Sequence, residues 1–210
     1  MSIRTAAIGV TTLLASAAIA VPAAAPAAAA PGTTSLATVL AADGNRFDRN
    51  HRDFDILDRA VRTVLKAKPG SPVAVLADGN VRLTAFIPTD RAFMRLVRSL
   101  TGKTPATEKA TFAAVASVAD VDMIETILLY HVVPGVTIRS KAAAQADGAV
   151  LPTAQGGTLT VNVRPNSRIF LRDKDKDAAN PELIPALLDI NKGNKQIAHG
   201  INRVLRPIDL

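Results

Sequence analysis

Cysteine is missing from all 210 residues, which removes disulfides, a lipid-bearing thiol and any Cys-based metal site. Tryptophan is absent as well, and aromatic residues are only 3% of the chain, so Leu, Val, Ile and Ala must fill the core. The main apolar run, residues 6–21, is shorter than the ~20 residues a membrane-spanning helix needs. The three histidines, His51, His131 and His199, show no helical i,i+4 spacing of a zinc enzyme. There is no G-x-S-x-G elbow, and Gly156-Gly157 stands alone ahead of a strand rather than opening a phosphate loop. These absences argue against a metal, a nucleotide cofactor and the familiar hydrolase mechanisms. The expectation is a non-enzymatic protein with no cofactor.

What is present is a large apolar fraction, 48%, enough for a core that stands without covalent staples. Arg4, the apolar run and the small-residue patterns ending at Ala20 and Ala29 follow the order of a secretory signal peptide. We read 1–30 as that signal, with cleavage near Ala20 or Ala29, 31–46 as a flexible Ala/Pro/Thr-rich lead-in, and 47–210 as one domain. The expected product is secreted and extracellular, without stable membrane insertion after cleavage, and either released or held at a cell wall by binding. Its net charge of +7 falls only to +6 when Arg4 is removed. Such a charge aids solubility and attracts polyanions. Export and the lack of interleaved aromatics argue against nucleic acid.

Along the chain, Phe54, Leu57, Val61, Val64 and Leu65 fall on one helical stripe, with Asp53 at the N-cap position and Pro69-Gly70 as the stop. Asp55–Arg59 and Asp58–Arg62 are i,i+4 pairs that read as a solvated face. A strand over 81–87 ends at Pro88, which cannot donate into a ladder. Thr89 then caps a helix with Asp90 in its first turn. Ala92, Phe93, Leu96, Val97 and Leu100 face inward, while Arg91, Arg95 and Arg98 line the outer side. Helices over 107–118 and 121–131 follow. Beyond them the period changes to strands at 149–151, 157–164, 168–172 and 201–205. Helices first and strands later predict an α+β domain with a mostly antiparallel sheet.

Three segments carry a resemblance. Thr84, Phe86, Pro88, Thr89, Asp90, Ala92 and Phe93 fit T-x-F-x-P-T-D-x-A-F; Tyr130-His131 follows mid-chain; His199, Ile201, Val204 and Leu205 fit a closing N-G-x-I-H-x-I-D-x-V-L. Over about 53–207 the chain thus resembles the fasciclin domain. That resemblance implies a β-wedge with helices packed against it, and adhesion or matrix-type binding outside the cell rather than catalysis. The implied partners are a cell-wall or matrix glycan, or a surface protein. The Ala-rich leader and the arginine content look bacterial, so receptors of animal members are not carried over. In the closing strand Lys195-Gln196 replaces Asn-Gly, Ala198 replaces Ile and Asn202 replaces Asp. Asn202 keeps an acceptor but loses the charge.

Tyr130-His131 reads as a buried pair whose polar atoms meet backbone or Asp90, with a recognition surface as the alternative. Asp173-Lys174-Asp175-Lys176-Asp177 begins like a calcium loop, but Ala178 and Ile184 stand where Gly and a bidentate Glu are required. Guanidinium forks suit carboxylate and phosphate, which makes Arg91, Arg95 and Arg98 the candidate polyanion site. The alternative to a binding module is an exported small-ligand carrier or an enzyme with an unrecognised pocket.

Overall fold

The computed structural model describes residues 30–44 and 46–209, so the expected signal segment lies outside the described residues apart from Ala30. Within them, two apolar clusters are divided by one strand, β1 (Leu83–Pro88), buried along its whole length. Its alternation sends Leu83, Ala85 and Ile87 into a cluster built from helices, and Phe86 into a cluster built mainly from strands.

The helical cluster gathers α1 (Leu36–Leu40), α2 (Asp55–Ala67), α3 (Asp90–Thr101), α4 (Glu108–Val118) and α5 (Val121–Tyr130). Ile56, Leu57, Ala60, Val61 and Val64 form the buried stripe of α2. Asp55 and Asp58, read from the sequence as solvated, are also buried. Thr107 and Asp120 cap α4 and α5 through their side chains, at 3.1 Å to the Ala110 amide and 2.8 Å to that of Met123. Leu100, expected to face inward, is 42% exposed at the end of α3.

The sheets are two, each of three strands: β2-β1-β6 and β3-β4-β5, with β2 (Val132–Pro134), β3 (Val150–Pro152), β4 (Thr158–Arg164), β5 (Arg168–Arg172) and β6 (Gln196–Ile201). A short α6 (Ser140–Ala143) lies between β2 and β3. Three of the four strand pairings are antiparallel, in keeping with an α+β fold of mostly antiparallel strands. The fourth, β1 with β6, is parallel and pairs the middle of the chain with its last strand. That last strand occupies 196–201, not 201–205 as the sequence suggests. Gln196, Ala198 and Gly200 lack the apolar alternation of a half-buried strand, because β6 is buried on both sides.

The lead-in is a second correction. Of the supposedly flexible 31–46, Leu36 and Leu40 are buried in the helical core. Ser35 caps α1 through the Thr38 amide at 3.2 Å. Gly32 exchanges backbone hydrogen bonds with Gly193 and Lys195 at 2.8 and 2.9 Å. The residue that ties this segment down is Gln196, fully buried: its Oε1 accepts from Leu36 N at 2.8 Å, and its Nε2 donates to the carbonyls of Val75 and Asp78, each at 2.8 Å. A Gly at that position, as in the motif the chain resembles, has no side chain to do this.

The third correction concerns α2. Asp53 is not its cap; Phe54 occupies that place and offers no side-chain acceptor. The acceptor comes from another helix. Asp90, fully buried at the start of α3, takes the Ile56 amide on Oδ1 at 2.8 Å and the Asp55 amide on Oδ2 at 3.3 Å. In return the amides of Asp90 and Arg91 donate to the carbonyls of Asp53 and His51 at 3.1 and 2.9 Å. Two helix N-termini are thereby sewn face to face, each meeting donors that its own helix leaves unpaired. Pro88 ends the strand and Thr89 is the N-cap residue of α3, without a side-chain cap bond.

Carboxylate oxygens of Asp53, Asp90 and Glu108 lie within 4.8 Å of one another. Burial, and then the hydrogen bond to Asp53, hold the Asp90 carboxyl far above the usual carboxylate range. Among the described residues Asp53 Oδ1 is buried without a hydrogen-bond partner, and the raised proton affinity of the neighbouring Asp90 carboxyl places a proton close to it.

Folding therefore keeps a proton on Asp90 that the unfolded chain releases near pH 4. Its folded affinity is raised, so the contribution is complete in acid and is lost as pH climbs from the ordinary Asp range into alkali. Asp90→Asn is neutral at every pH and keeps an oxygen for Ile56, giving up only the longer bond from the Asp55 amide. Urea unfolding from about pH 5 to about pH 9 should show a falling limb in the parent that is flattened in Asp90→Asn. Asp90→Ala should cost about 1–3 kcal/mol near pH 5, because buried amides lose their acceptor, and the cost should shrink toward alkaline pH.

Candidate functional site

The motif residues shared between strand, turn and helix are directed inward. Thr84 Oγ1 donates to the Val136 carbonyl and accepts from Ile138 N, both at 2.8 Å, fixing the strand exit after β2. Tyr130 is fully buried and its hydroxyl donates to the Thr158 carbonyl at 2.9 Å, locking α5 onto β4. Burial, helped by the charge of Asp173, pushes its pKa up to about 12. His131 bonds backbone through both nitrogens: Nδ1 donates to Ile127 O at 2.7 Å and Nε2 accepts from Leu205 N at 2.9 Å. That arrangement demands the neutral ring, and burial brings its pKa down to about 4. His199 does the same with the opposite tautomer. Its Nε2 donates to Ile138 O at 2.8 Å, its Nδ1 accepts from Asp189 N at 3.2 Å, and its ring stacks on Phe86 at 6.0 Å between centroids. None of these polar atoms reaches Asp90, the partner weighed from the sequence. Phe93 packs in the helical core. Asn202 Oδ1 accepts from Glu182 N at 3.0 Å, the acceptor role that survives the loss of the Asp charge.

The exposed part of the motif helix is where chemistry collects. Arg91, Arg95 and Arg98 project from α3 and, with Arg49 and Arg52 from the 48–53 loop, line a cleft of about 590 Å³. Asn50, His51, Met94 and Thr104 complete the lining, and no acidic side chain is among it. Among the described residues none of the five arginines forms an ion pair. Arg95 is steered by a 2.8 Å bond from Nη1 to the Asn202 carbonyl. Burial, and then the neighbouring charges of Arg203 and Arg91, lower its pKa. His51 presents its ring at the edge of the cleft, oriented by a 2.9 Å contact from Nδ1 to Glu108. The Asp48 amide reaches the other Glu108 oxygen at 2.6 Å.

Sequence reasoning found the α3 stripe but missed the opposite wall. Arg46, Arg49 and Arg52 recur every three residues, and that repeat was the available signal. What it does not reveal is that the Asp90 and Arg91 amides bring the loop beside α3.

The acidic groups are committed elsewhere. Asp90 and Glu108 serve backbone amides and His51, as above. Asp173 accepts from the amides of Asp175 and Arg206, and Asp175 accepts from Ala178 N and from Arg206 Nη1 at 2.8 Å. The 173–177 segment is thus a turn closed on itself and on Arg206. Asp48, Asp53 and Asp55, and likewise Asp175, Asp177 and Asp209, also lie close enough to share a cation, but nothing else in the structure points to one. A separate apolar groove of about 270 Å³ between α3, α4 and α5 is lined by no titratable side chain, so it offers no acid or base.

His131 sets an acid limit on the fold. Its folded pKa is depressed, so its contribution is present above the unfolded value near 6.5 and is lost as pH falls toward 4. Unfolding measured across that window should show a loss of up to about 3 kcal/mol from this group. A His131→Gln variant should start less stable and show a shallower acid limb.

A fasciclin-domain family model matches residues 60–207. No curated protein matches the chain. Among solved structures, a FAS1 domain pair from the insect cell adhesion molecule fasciclin I is similar at 20% identity with a TM-score of 0.46. The similarity covers 70% of this chain but only 44% of that one, so the chain spans less than half of its length. The 48–53 loop lies before the matched residues, so one wall of the arginine cleft is outside the matched range. With its fold, its buried motif residues and a match over most of its length, the chain belongs to the fasciclin-domain family.

Proposed function

We propose that this chain is an extracellular, non-catalytic adhesion module that holds acidic cell-surface, cell-wall or matrix partners in the arginine cleft. The single observation behind this reading is the set of five guanidinium groups, none in an ion pair among the described residues, around a concavity lined by no carboxylate. Gathering like charges without internal partners is unfavourable, and an anionic ligand relieves it. Guanidinium also makes paired, directional bonds to carboxylate, sulfate and phosphate oxygens. The family supplies the setting, since fasciclin domains occur in adhesion-related proteins outside the cell. The leader-like order of residues 1–30 supports export of this chain in particular. Among the described residues, no helix is long and apolar enough to cross a membrane.

Purified protein should sediment with envelope fractions in dilute buffer and be released as salt is raised through about 0.1–0.5 M, where charge interactions are screened. Arg91→Glu with Arg98→Glu should lower retention about tenfold or more without changing the melting temperature, since neither side chain is tied to the fold. Arg95 is left intact because it holds Asn202. Retention indifferent to salt and to these substitutions would sink the proposal.

A further inference from the structure

The cleft does not end at the arginines. It continues into a trough of about 290 Å³ that shares Arg52, Arg91 and Arg95 with it and is walled on the far side by Ile184, Ala186 and Leu187. No acidic residue lines this second compartment either. The apolar wall is held in place. It is a 3-10 turn, Pro185–Leu187, fixed by Ile184 N to Gly200 O at 2.8 Å and Leu187 N to Ile184 O at 2.9 Å. Leu187 lies so close over Gly200 that a β-carbon there would fall 2.6 Å from its own Cβ. Arg95, anchored on Asn202, sits at the junction of the two compartments. A rigid aliphatic lip beside a preset guanidinium is a surface with two chemistries.

Resting on the arginine-cleft reading above, we propose that the composite surface docks an acidic polypeptide segment of a surface protein, in which carboxylates are interspersed with aliphatic side chains. Charge complementarity and shape select this occupant. A sulfated or phosphorylated glycan matches the arginines but leaves the Ile184–Leu187 lip facing polar groups. A single lipid head group concentrates its charge at one point, whereas the arginines come from both the 48–53 loop and α3. An extended peptide presents alternate side chains to opposite sides, so carboxylates reach the guanidinium groups while aliphatic neighbours cover the lip. Bidentate carboxylate pairing fixes register, and burial of the aliphatic groups supplies affinity that salt does not screen. The contact is small, so the complex is of the weak, transient kind or one of many acting in parallel.

The test compares two labelled peptides of equal length and equal Glu content, one interspersed with Ser and the other with Leu. Fluorescence anisotropy at about 0.15 M salt is the readout, with inorganic polyphosphate and phosphatidylglycerol vesicles as competitors. The Leu peptide should bind about tenfold tighter than the Ser peptide. Leu187→Ala should remove that preference while leaving the Ser peptide unchanged. Ala186→Gln, at an exposed position that cannot disturb the core, should do the same and decides the matter if Leu187→Ala unfolds. Arg91→Glu with Arg98→Glu should weaken both peptides. Equal binding of the two peptides overturns the composite site while leaving the arginine cleft standing. Polyphosphate or vesicles outcompeting the Leu peptide at equal charge overturns the polypeptide assignment in favour of a glycan or a membrane. If neither peptide nor polyphosphate binds, the arginine-cleft reading fails as well.

Discussion

A buried carboxyl group reaching from the first turn of one helix to the first turn of another sets the arrangement of this molecule. Asp90 receives the amides of Asp55 and Ile56, while its own amide and that of Arg91 return to the preceding loop. The exchange fixes how α2 approaches α3 and, through the carbonyls of His51 and Asp53, where the 48–53 loop must run. Burying this group is costly if it is charged. The protein meets the cost by keeping Asp90 protonated against Asp53, so a structural feature carries a standing dependence on pH.

The same economy recurs through the second core. With few aromatic residues to fill space, the chain places polar groups inside and satisfies each one with backbone. Tyr130 joins α5 to β4, His131 joins the end of α5 to the tail at Leu205, and His199 joins β6 to the segments at Ile138 and Asp189. Gln196 joins the N-terminal segment to the same strand. Each is a directional contact that an apolar side chain could not make, and together they tie β4, β6, the end of α5 and the N-terminal segment to their neighbours. Histidines so employed have no lone pair left for a metal or a substrate, which is why the family motif reads as scaffold.

Function then falls to what the scaffold leaves outside. The inner side of α3 is spent on the core and its outer side carries arginine. Because Asp90 pins the loop beside it, that outer side becomes one wall of a cleft rather than an open face. The opposite wall comes from the 48–53 loop, ahead of the matched range, and the fold brings it beside α3.

Much of the architecture was legible without coordinates. The Pro88-Thr89-Asp90 turn from strand to helix, the amphipathic stripes of α2 and α3, and the alternation in β4 all follow from local rules: a missing donor, a period near 3.6, a period of 2. What escaped was each case where a partner lies far off in sequence. Asp53 looked like a cap because nothing nearby competes with it, yet the acceptor is Asp90. Residues 31–46 looked flexible because the side chain that secures them is Gln196. Strand β6 was misplaced because burial on both faces erases alternation. The stripe at Arg91, Arg95 and Arg98 was visible, but Arg49, Arg52 and the lip at Ile184–Leu187 join it only in three dimensions. Sequence alone determined the local conformations and the sign of the charge, since both depend on neighbours along the chain. Only the tertiary structure decided which helix end caps which and which arginines share a cavity, because those are contacts between residues that meet only when the chain closes on itself.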